Sequence, residues 1–327
     1  MRIVIPDDYQ DAVRQLACFR LLEGFDVRIY RDSSADPEQL AERFGDADAI
    51  VLIRERTRID EPLLARLPRL KLISQTGKVA GHVDVEACSR HRVAIVEGTG
   101  SPVAPAELTW ALIMAALRGL APAVVAMRQG RWQTNIGDCL EGKTLGIWGY
   151  GKIGRRVARY GAAFGMPVLV WGSEASRRAA VAEGFQAAAS RERFFATSDV
   201  LSLHLRLQPE TTALVRFQDL TRMRPDALFV NTSRAELIEP DALRRALMAG
   251  TPGRAALDVY ESEPIHDPGY WALQLDNVLC TPHLGYVERR GYELYFGMAF
   301  QNIVDFFAGR PKHVLNPEAM ARWQPPQ

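Results

Sequence analysis

The sequence predicts an α/β protein built on two parallel sheets, and three observations carry that reading. Short apolar runs alternate with helical patterns through the first hundred residues. After one long apolar stretch and Gly130, the same alternation starts again. Strands separated by helices form a parallel sheet covered on both faces. Finally, 327 residues suit two domains of about 100–200 residues each.

In the first half, Arg2–Pro6 reads as a strand, Asp8–Leu16 as a helix and Asp26–Tyr30 as a second strand. Asp36 then caps a helix running through Phe44, with Pro37 at its first position, where a missing N–H costs nothing. Ala49–Ile53, Leu70–Ser74 and Val93–Val96 are further strands, with helical stretches near 60–67 and 83–90. Pro105–Gln129 reads as one long apolar helix. Part of it, Leu108–Met127, has the composition of a membrane span. However, Arg118, Gly119 and Pro122 lie inside it, and a guanidinium at a bilayer centre is costly. This helix is therefore expected to be buried between packed elements.

The second series gives six strands: Thr144–Trp148, Val168–Trp171, Val200–Leu205, Ala227–Asn231, Ala255–Val259 and Val278–Cys280. Helices are expected between them, including Ile153–Phe164 and Asp241–Ala249. Past Gly285 the pattern is helical to about Ala308. The end, with Pro311, Pro317, Pro325 and Pro326, is expected to be irregular.

Composition narrows the function. The formal net charge is +1 and the basic residues are not gathered, which argues against nucleic acid as a partner. Cys18, Cys88, Cys139 and Cys280 lie far apart with no CxxC, as reduced thiols of a cytoplasmic protein would. No metal site is expected. Only a short apolar run, Ile3–Pro6, follows Met1-Arg2, so no signal peptide is read.

The sharpest motif is Gly149-Tyr150-Gly151-Lys152-Ile153-Gly154, between a strand and a helix. Gly149 allows the tight turn, Gly151 lets a pyrophosphate approach the backbone, and Gly154 lets helix and strand pack. The helix start offers free N–H groups and the positive dipole end to phosphates. An NAD site wants an acid at the end of the next strand. Here that end reads Gly172-Ser173-Glu174, followed by Arg177 and Arg178. Room at Gly172 and Ser173 with a guanidinium nearby favours NADP. NAD stays open, because Glu174 can reach a ribose.

Three more stretches sit at strand C-terminal ends, where open α/β sheets bind ligands. They are Asn231-Thr232-Ser233-Arg234, Asp258–Pro264 and Thr281-Pro282-His283-Leu284-Gly285. Together they hold a guanidinium, carboxylates and an imidazole, the groups that polarise a carbonyl, fix a carboxylate and move a proton.

With the Ser198–His204 stretch, these ordered motifs make the sequence resemble the D-isomer-specific 2-hydroxyacid dehydrogenases, from about Leu70 to Gly309. The resemblance implies a Rossmann dinucleotide-binding domain, residues 100–286, inserted into a flavodoxin-like substrate domain of residues 1–99 and 287–327. It implies that Arg234 clamps the 2-oxo acid, that His283 is the acid/base and that Glu263 hydrogen-bonds it. Asp258 would hold the nicotinamide carboxamide, and His204, Thr232 and Ser233 would line the dinucleotide cleft. The loop Thr76-Gly77-Lys78 would present N–H groups to the substrate carboxylate. The long apolar helix would lie in a homodimer interface. The implied reaction interconverts a small 2-oxo acid and its D-2-hydroxy acid, with glyoxylate and hydroxypyruvate the first substrates to try. The alternative is a dinucleotide-sensing corepressor-like protein on the same fold.

Some residues depart from the family pattern. Ala235 stands where Gly is common after the arginine, Arg206 where Pro is usual, and Val79 where Gly is frequent; Lys78 adds a charge. Glu263 argues against a formate oxidiser, in which Gln is usual there. The chain also stops too early for the regulatory domain of long phosphoglycerate dehydrogenases.

Overall fold

The computed structural model describes residues 1–321. The chain divides into two compact units: Met1–Ser101 together with the chain from Glu288 onward, and Pro102–Val287.

The first unit carries five strands: β1 (Arg2–Ile5), β2 (Asp26–Ile29), β3 (Ala49–Leu52), β4 (Leu72–Gln75) and β5 (Ala94–Glu97). They pair in parallel in the order β2-β1-β3-β4-β5. That order is the flavodoxin-like one. Strand β3 is buried throughout and reads as a continuous apolar run, whereas β4, equally buried, ends in Ser74 and Gln75, whose side chains donate to the Ala299 and Arg54 carbonyls. The helices are α1 (Pro37–Phe44), α2 (Glu61–Leu64) and α3 (Val85–Arg90). Asp36 caps α1 by accepting the Glu38 N–H, with Pro37 in the first turn.

The expected helix over Asp8–Leu16 does not form; Val13–Gln15 and Ala17–Leu22 are 3₁₀ turns. Asp7 and Asp11 adopt left-handed backbone, with φ of 64° and 51°. The buried Asp8 carboxylate takes the Ala12 and Val13 N–H groups at 3.0 Å each. Short acidic side chains here outcompete the helical ladder for its own donors.

The second unit has seven strands: β6 (Leu145–Trp148), β7 (Val168–Trp171), β8 (Gln186–Ala187), β9 (Val200–Leu203), β10 (Leu228–Asn231), β11 (Arg254–Leu257) and β12 (Val278–Cys280). Their order is β12-β11-β10-β9-β6-β7-β8, all parallel. This is the doubly wound Rossmann order with one strand added, and the chain reverses direction across the sheet between β6 and β9. The sequence shows six of these strands. It misses β8, a two-residue exposed edge strand with no apolar run to betray it.

Helices α4 (Val103–Arg118), α5 (Leu120–Arg128), α6 (Gly154–Ala163), α7 (Glu174–Ala182), α8 (Arg191–Thr197), α9 (Phe217–Leu220) and α10 (Ala242–Met248) complete this unit. The chain then returns to the first unit as α11 (Arg289–Phe307), which packs on β3, β4 and β5.

The single helix expected over Pro105–Gln129 is two helices bent by 63°. Gly119 ends α4 in the left-handed conformation (φ 59°), and Pro122 in the first turn of α5 cannot extend the ladder back across the break. Nor is this stretch buried throughout: Leu120, Val124, Val125 and Met127 of α5 are each at least half exposed. Among the described residues no single helix is long and apolar enough to cross a membrane.

The proline-bearing end is not wholly irregular. Val314 bridges Val96, and Pro317–Met320 forms a 3₁₀ turn with Pro317 in its opening position. Pro325 and Pro326 lie outside the described residues.

Three of the four cysteines are covered. Burial pushes the Cys18 and Cys88 thiols up to about 12 and raises Cys280, while Cys139 is exposed.

Candidate active site

The glycine loop leaves β6 at the switch point of the larger sheet. Gly149 has φ 100°, and a Cβ there would come within 2.5 Å of the His204 carbonyl oxygen. A Cβ at Gly154 would strike the Gly149 carbonyl. A Cβ at Gly151 would meet nothing within 4 Å. The tight turn and the close packing are therefore real, while the backbone at Gly151 faces open space beside the α6 N-terminus, as a pyrophosphate needs. Lys152 is exposed and Ile153 precedes the first residue of α6. Tyr150 is buried, and its hydroxyl donates to Glu183 at 2.9 Å.

At the end of β7, Ser173 caps α7 by accepting the Ser176 N–H at 3.2 Å. The two arginines separate here. Arg178 is exposed and pairs with Glu174 at 3.2 Å, which commits that acid on the helix face. Arg177 is half-buried and lies over the Trp171 ring, 4.9 Å from its centroid.

His204 follows β9, with Nε2 3.0 Å from the Ser202 hydroxyl. Loss of solvation pushes its imidazole down to about 3, so it is neutral at ordinary pH.

The sheet sets β10, β11 and β12 side by side, at about 4.8 Å per strand, so the loops they carry are neighbours. After β10 the turn braces itself. Asn231 Nδ2 donates to the Arg234 carbonyl at 2.8 Å, the Ser233 N–H to Asn231 Oδ1 at 3.0 Å, and the Ser233 hydroxyl to the Leu203 carbonyl at 2.7 Å. The Thr232 and Thr109 hydroxyls are 2.7 Å apart; Thr109 donates to the Pro105 carbonyl, so Thr232 is the donor between them. Arg234 Nη1 donates to the Ser233 carbonyl at 2.7 Å. Ala235 opens a 3₁₀ turn without left-handed backbone, so alanine in place of glycine costs nothing there.

After β11, Glu263 Oε1 accepts the Tyr260 N–H at 2.9 Å. Its Oε2 lies 2.6 Å from Nδ1 of His283. The carboxylate thus assigns the proton to Nδ1 and leaves Nε2 for a ligand. The Tyr286 ring stands edge-on to the imidazole, 5.5 Å between centroids. Asp258 is fully buried, which raises its carboxyl, and it accepts from Thr281, Leu284 and Gly285.

The loop after β4 belongs to the first unit. Thr76 is buried; its hydroxyl donates to the Leu52 carbonyl at 2.8 Å and accepts the Arg54 N–H at 2.9 Å. Its N–H donates to the same Leu52 carbonyl at 3.0 Å, so the N–H expected to meet a substrate carboxylate is already spent. Gly77 has φ 99°, and a Cβ there would run into the Arg54 guanidinium. Lys78 does not stand as a spare charge: its Nζ pairs with Glu97 at 2.8 Å. The other Glu97 oxygen accepts the Val79 N–H at 2.7 Å.

The D-isomer specific 2-hydroxyacid dehydrogenase NAD binding domain matches residues 110–285, more than half of the chain. The glyoxylate reductase of Aeropyrum pernix is 35% identical over 317 residues, covering 93% of this chain and 94% of that protein. The chain belongs to the D-isomer-specific 2-hydroxyacid dehydrogenases. A phosphoglycerate oxidoreductase from Vibrio cholerae O395 is 55% identical, with TM-score 0.93 over 94% of this chain and 99% of that one. An oxidoreductase structure from Ralstonia solanacearum is 53% identical, with TM-score 0.96 over 98% of both chains. This member of the family is thus an NAD(H)-binding oxidoreductase of 2-hydroxy and 2-oxo acids.

In this dehydrogenase Glu97 and Trp171 have no role assigned from sequence, and Thr281 stands there only as part of a loop, yet each has a contact at the site. Each stands at or just past the carboxyl end of a strand, the position from which such sheets present ligand groups. That placement is the signal that singles them out.

Proposed function

We propose that this dehydrogenase is an NADP-preferring reductase of a small 2-oxo acid, glyoxylate or hydroxypyruvate in the first instance, forming the D-2-hydroxy acid. The observation that carries the reading is the 2.6 Å contact between His283 Nδ1 and Glu263 Oε2 on neighbouring strand-end loops. A bound nicotinamide supplies the hydride that reaches C2 of the acid. His283, through Nε2, gives a proton to the oxygen on C2 and takes it back in the oxidative direction. Glu263 fixes the tautomer and supports the imidazolium. Arg234 pairs with the carboxylate and polarises the carbonyl through its planar fork. The Thr76 N–H is spent on the Leu52 carbonyl and the Val79 N–H on Glu97, so Gly77 and Lys78 are the N–H donors of that loop for a carboxylate. Gly149, Gly151, Gly154, Lys152 and Ile153 cradle the pyrophosphate, with His204 and Thr232 along the cleft. Arg177, lying on Trp171, is the partner for a 2′-phosphate, with Ser173 leaving room.

The test is a panel of 2-oxo acids with NADPH and NADH. Glyoxylate or hydroxypyruvate should drive oxidation of NADPH in preference to NADH. Coenzyme binding without turnover across the panel would instead assign a sensing role. His283→Ala should lower kcat by about 10²–10⁴-fold. Arg234→Lys should lower kcat/KM by about tenfold to a hundredfold, with coenzyme Kd unchanged.

The exposed apolar residues of α5, with Trp132 and Ile136 beyond it, support a second reading of this surface, that of a homodimer interface. Val124→Glu should convert a dimer to a monomer by light scattering; a wild-type monomer would overturn the assignment.

A further inference from the structure

We propose that Asp258 is a positioning residue, holding His283 by clasping the loop on which it stands. The inference rests on His283 as the acid/base and asks what keeps it in place.

Asp258 is the first residue after β11 and none of it is exposed. Its Oδ1 accepts the Thr281 hydroxyl at 2.6 Å and the Leu284 N–H at 2.8 Å. Its Oδ2 accepts the Gly285 N–H at 2.9 Å. These donors flank His283 on both sides in the chain. Between them His283 has φ 51°, in the left-handed region, and its N–H closes a tight turn onto the Thr281 carbonyl at 3.0 Å. A residue other than glycine persists there only when its surroundings over-determine it. Asp258 supplies that constraint with three hydrogen bonds gathered on one buried carboxyl group. A Cβ at Gly285 would come within 3.3 Å of Oδ2, so glycine lets the loop come down onto the carboxylate.

Glu263 and Tyr286 orient the ring, whereas Asp258 fixes the backbone beneath it. The resemblance assigns Asp258 to the nicotinamide carboxamide. Oδ1 already has two donors, which leaves one lone pair, on Oδ2, for any such role. The other titratable groups near the clasp are Glu263, Tyr260 and Cys280.

The test compares Asp258→Asn with Thr281→Val, which loosens the clasp but leaves the carboxylate. For each, NADPH Kd is read by fluorescence, with kcat at saturation and the primary isotope effect from 4-deuterated coenzyme. Asp258→Asn should lower kcat about 10²-fold, since displacing a reacting group by about an ångström costs that much. Thr281→Val, which loses one hydrogen bond, should lower it about fivefold. In both, Kd should stay near wild type and the isotope effect should rise, a change that loss of folded protein alone does not produce. If Asp258→Asn fails to fold, Thr281→Val decides. A loss of NADPH affinity matching the loss of kcat/KM in Asp258→Asn, with Thr281→Val silent, would overturn the clasp. Near-normal kcat in His283→Ala would overturn the acid/base reading itself, a separate outcome.

Discussion

Gly77, in the loop after β4, and Gly151, in the loop after β6, are glycine for opposite reasons. At Gly77 an added methyl would collide with the Arg54 guanidinium, so the chain itself fills the space. At Gly151 it would meet nothing within 4 Å. Charge follows the same division. Lys78 is paired by Glu97, while Lys152 pairs with no acid among the described residues. A glycine in the sequence says that something comes close to the backbone. Whether that is protein, or space kept for a ligand, is decided by neighbours distant in the chain.

Exchanging the two glycines for alanine is the strongest way to break the comparison. Gly151→Ala should leave the melting temperature unchanged and weaken NADPH binding about tenfold or more, the equivalent of about 1.4 kcal/mol. Gly77→Ala should do the reverse, leaving coenzyme binding alone and costing about 1–2 kcal/mol of stability through its left-handed backbone. Calorimetry and fluorescence titration on both variants measure this, and equal effects would erase the distinction.

The arginines beyond the second loop sharpen the contrast. Arg177→Ala should cut the kcat/KM preference for NADPH over NADH about tenfold, while Arg178→Ala, already paired with Glu174, should change it less than about twofold.

His204, whose carbonyl backs Gly149, gives a pH test. Its folded value is about 3 against an ordinary 6.5, so between those pH values only the unfolded chain binds the proton. Stability should therefore fall as pH drops below 6.5, by about 1 kcal/mol between pH 6.5 and about 5.5. Melting curves of His204→Gln against pH should lack this component.

The smallest effect is expected in the first loop. Glu97→Gln keeps an acceptor for the Val79 N–H but loses a partly exposed ion pair, so KM for the oxo acid should change about two- to fivefold at constant coenzyme Kd.

Much of this was legible because buried parallel strands are written as apolar runs. Ala49–Leu52 and Leu145–Trp148 stand close to where their residues put them. Asp36-Pro37 announced a helix start, and Thr281–Gly285 marked a strand-end loop from its own residues. The failures have separate causes. Asp8 has helical neighbours, yet its carboxylate satisfies the donors a helix would use. Gly119 and Pro122 were visible breakers inside an apolar stretch whose length argued for continuity. Glu97 with Lys78, and Arg177 with Trp171, depend on which side chains meet across a strand end, and the composition of either segment does not report that.

The covered thiols have a practical consequence. With Cys18, Cys88 and Cys280 held protonated by burial, maleimide chemistry should select exposed Cys139, a few residues ahead of β6. A single dye can then be attached just ahead of β6 in the native chain without removing any cysteine, giving an optical reporter in which the protein is otherwise unaltered.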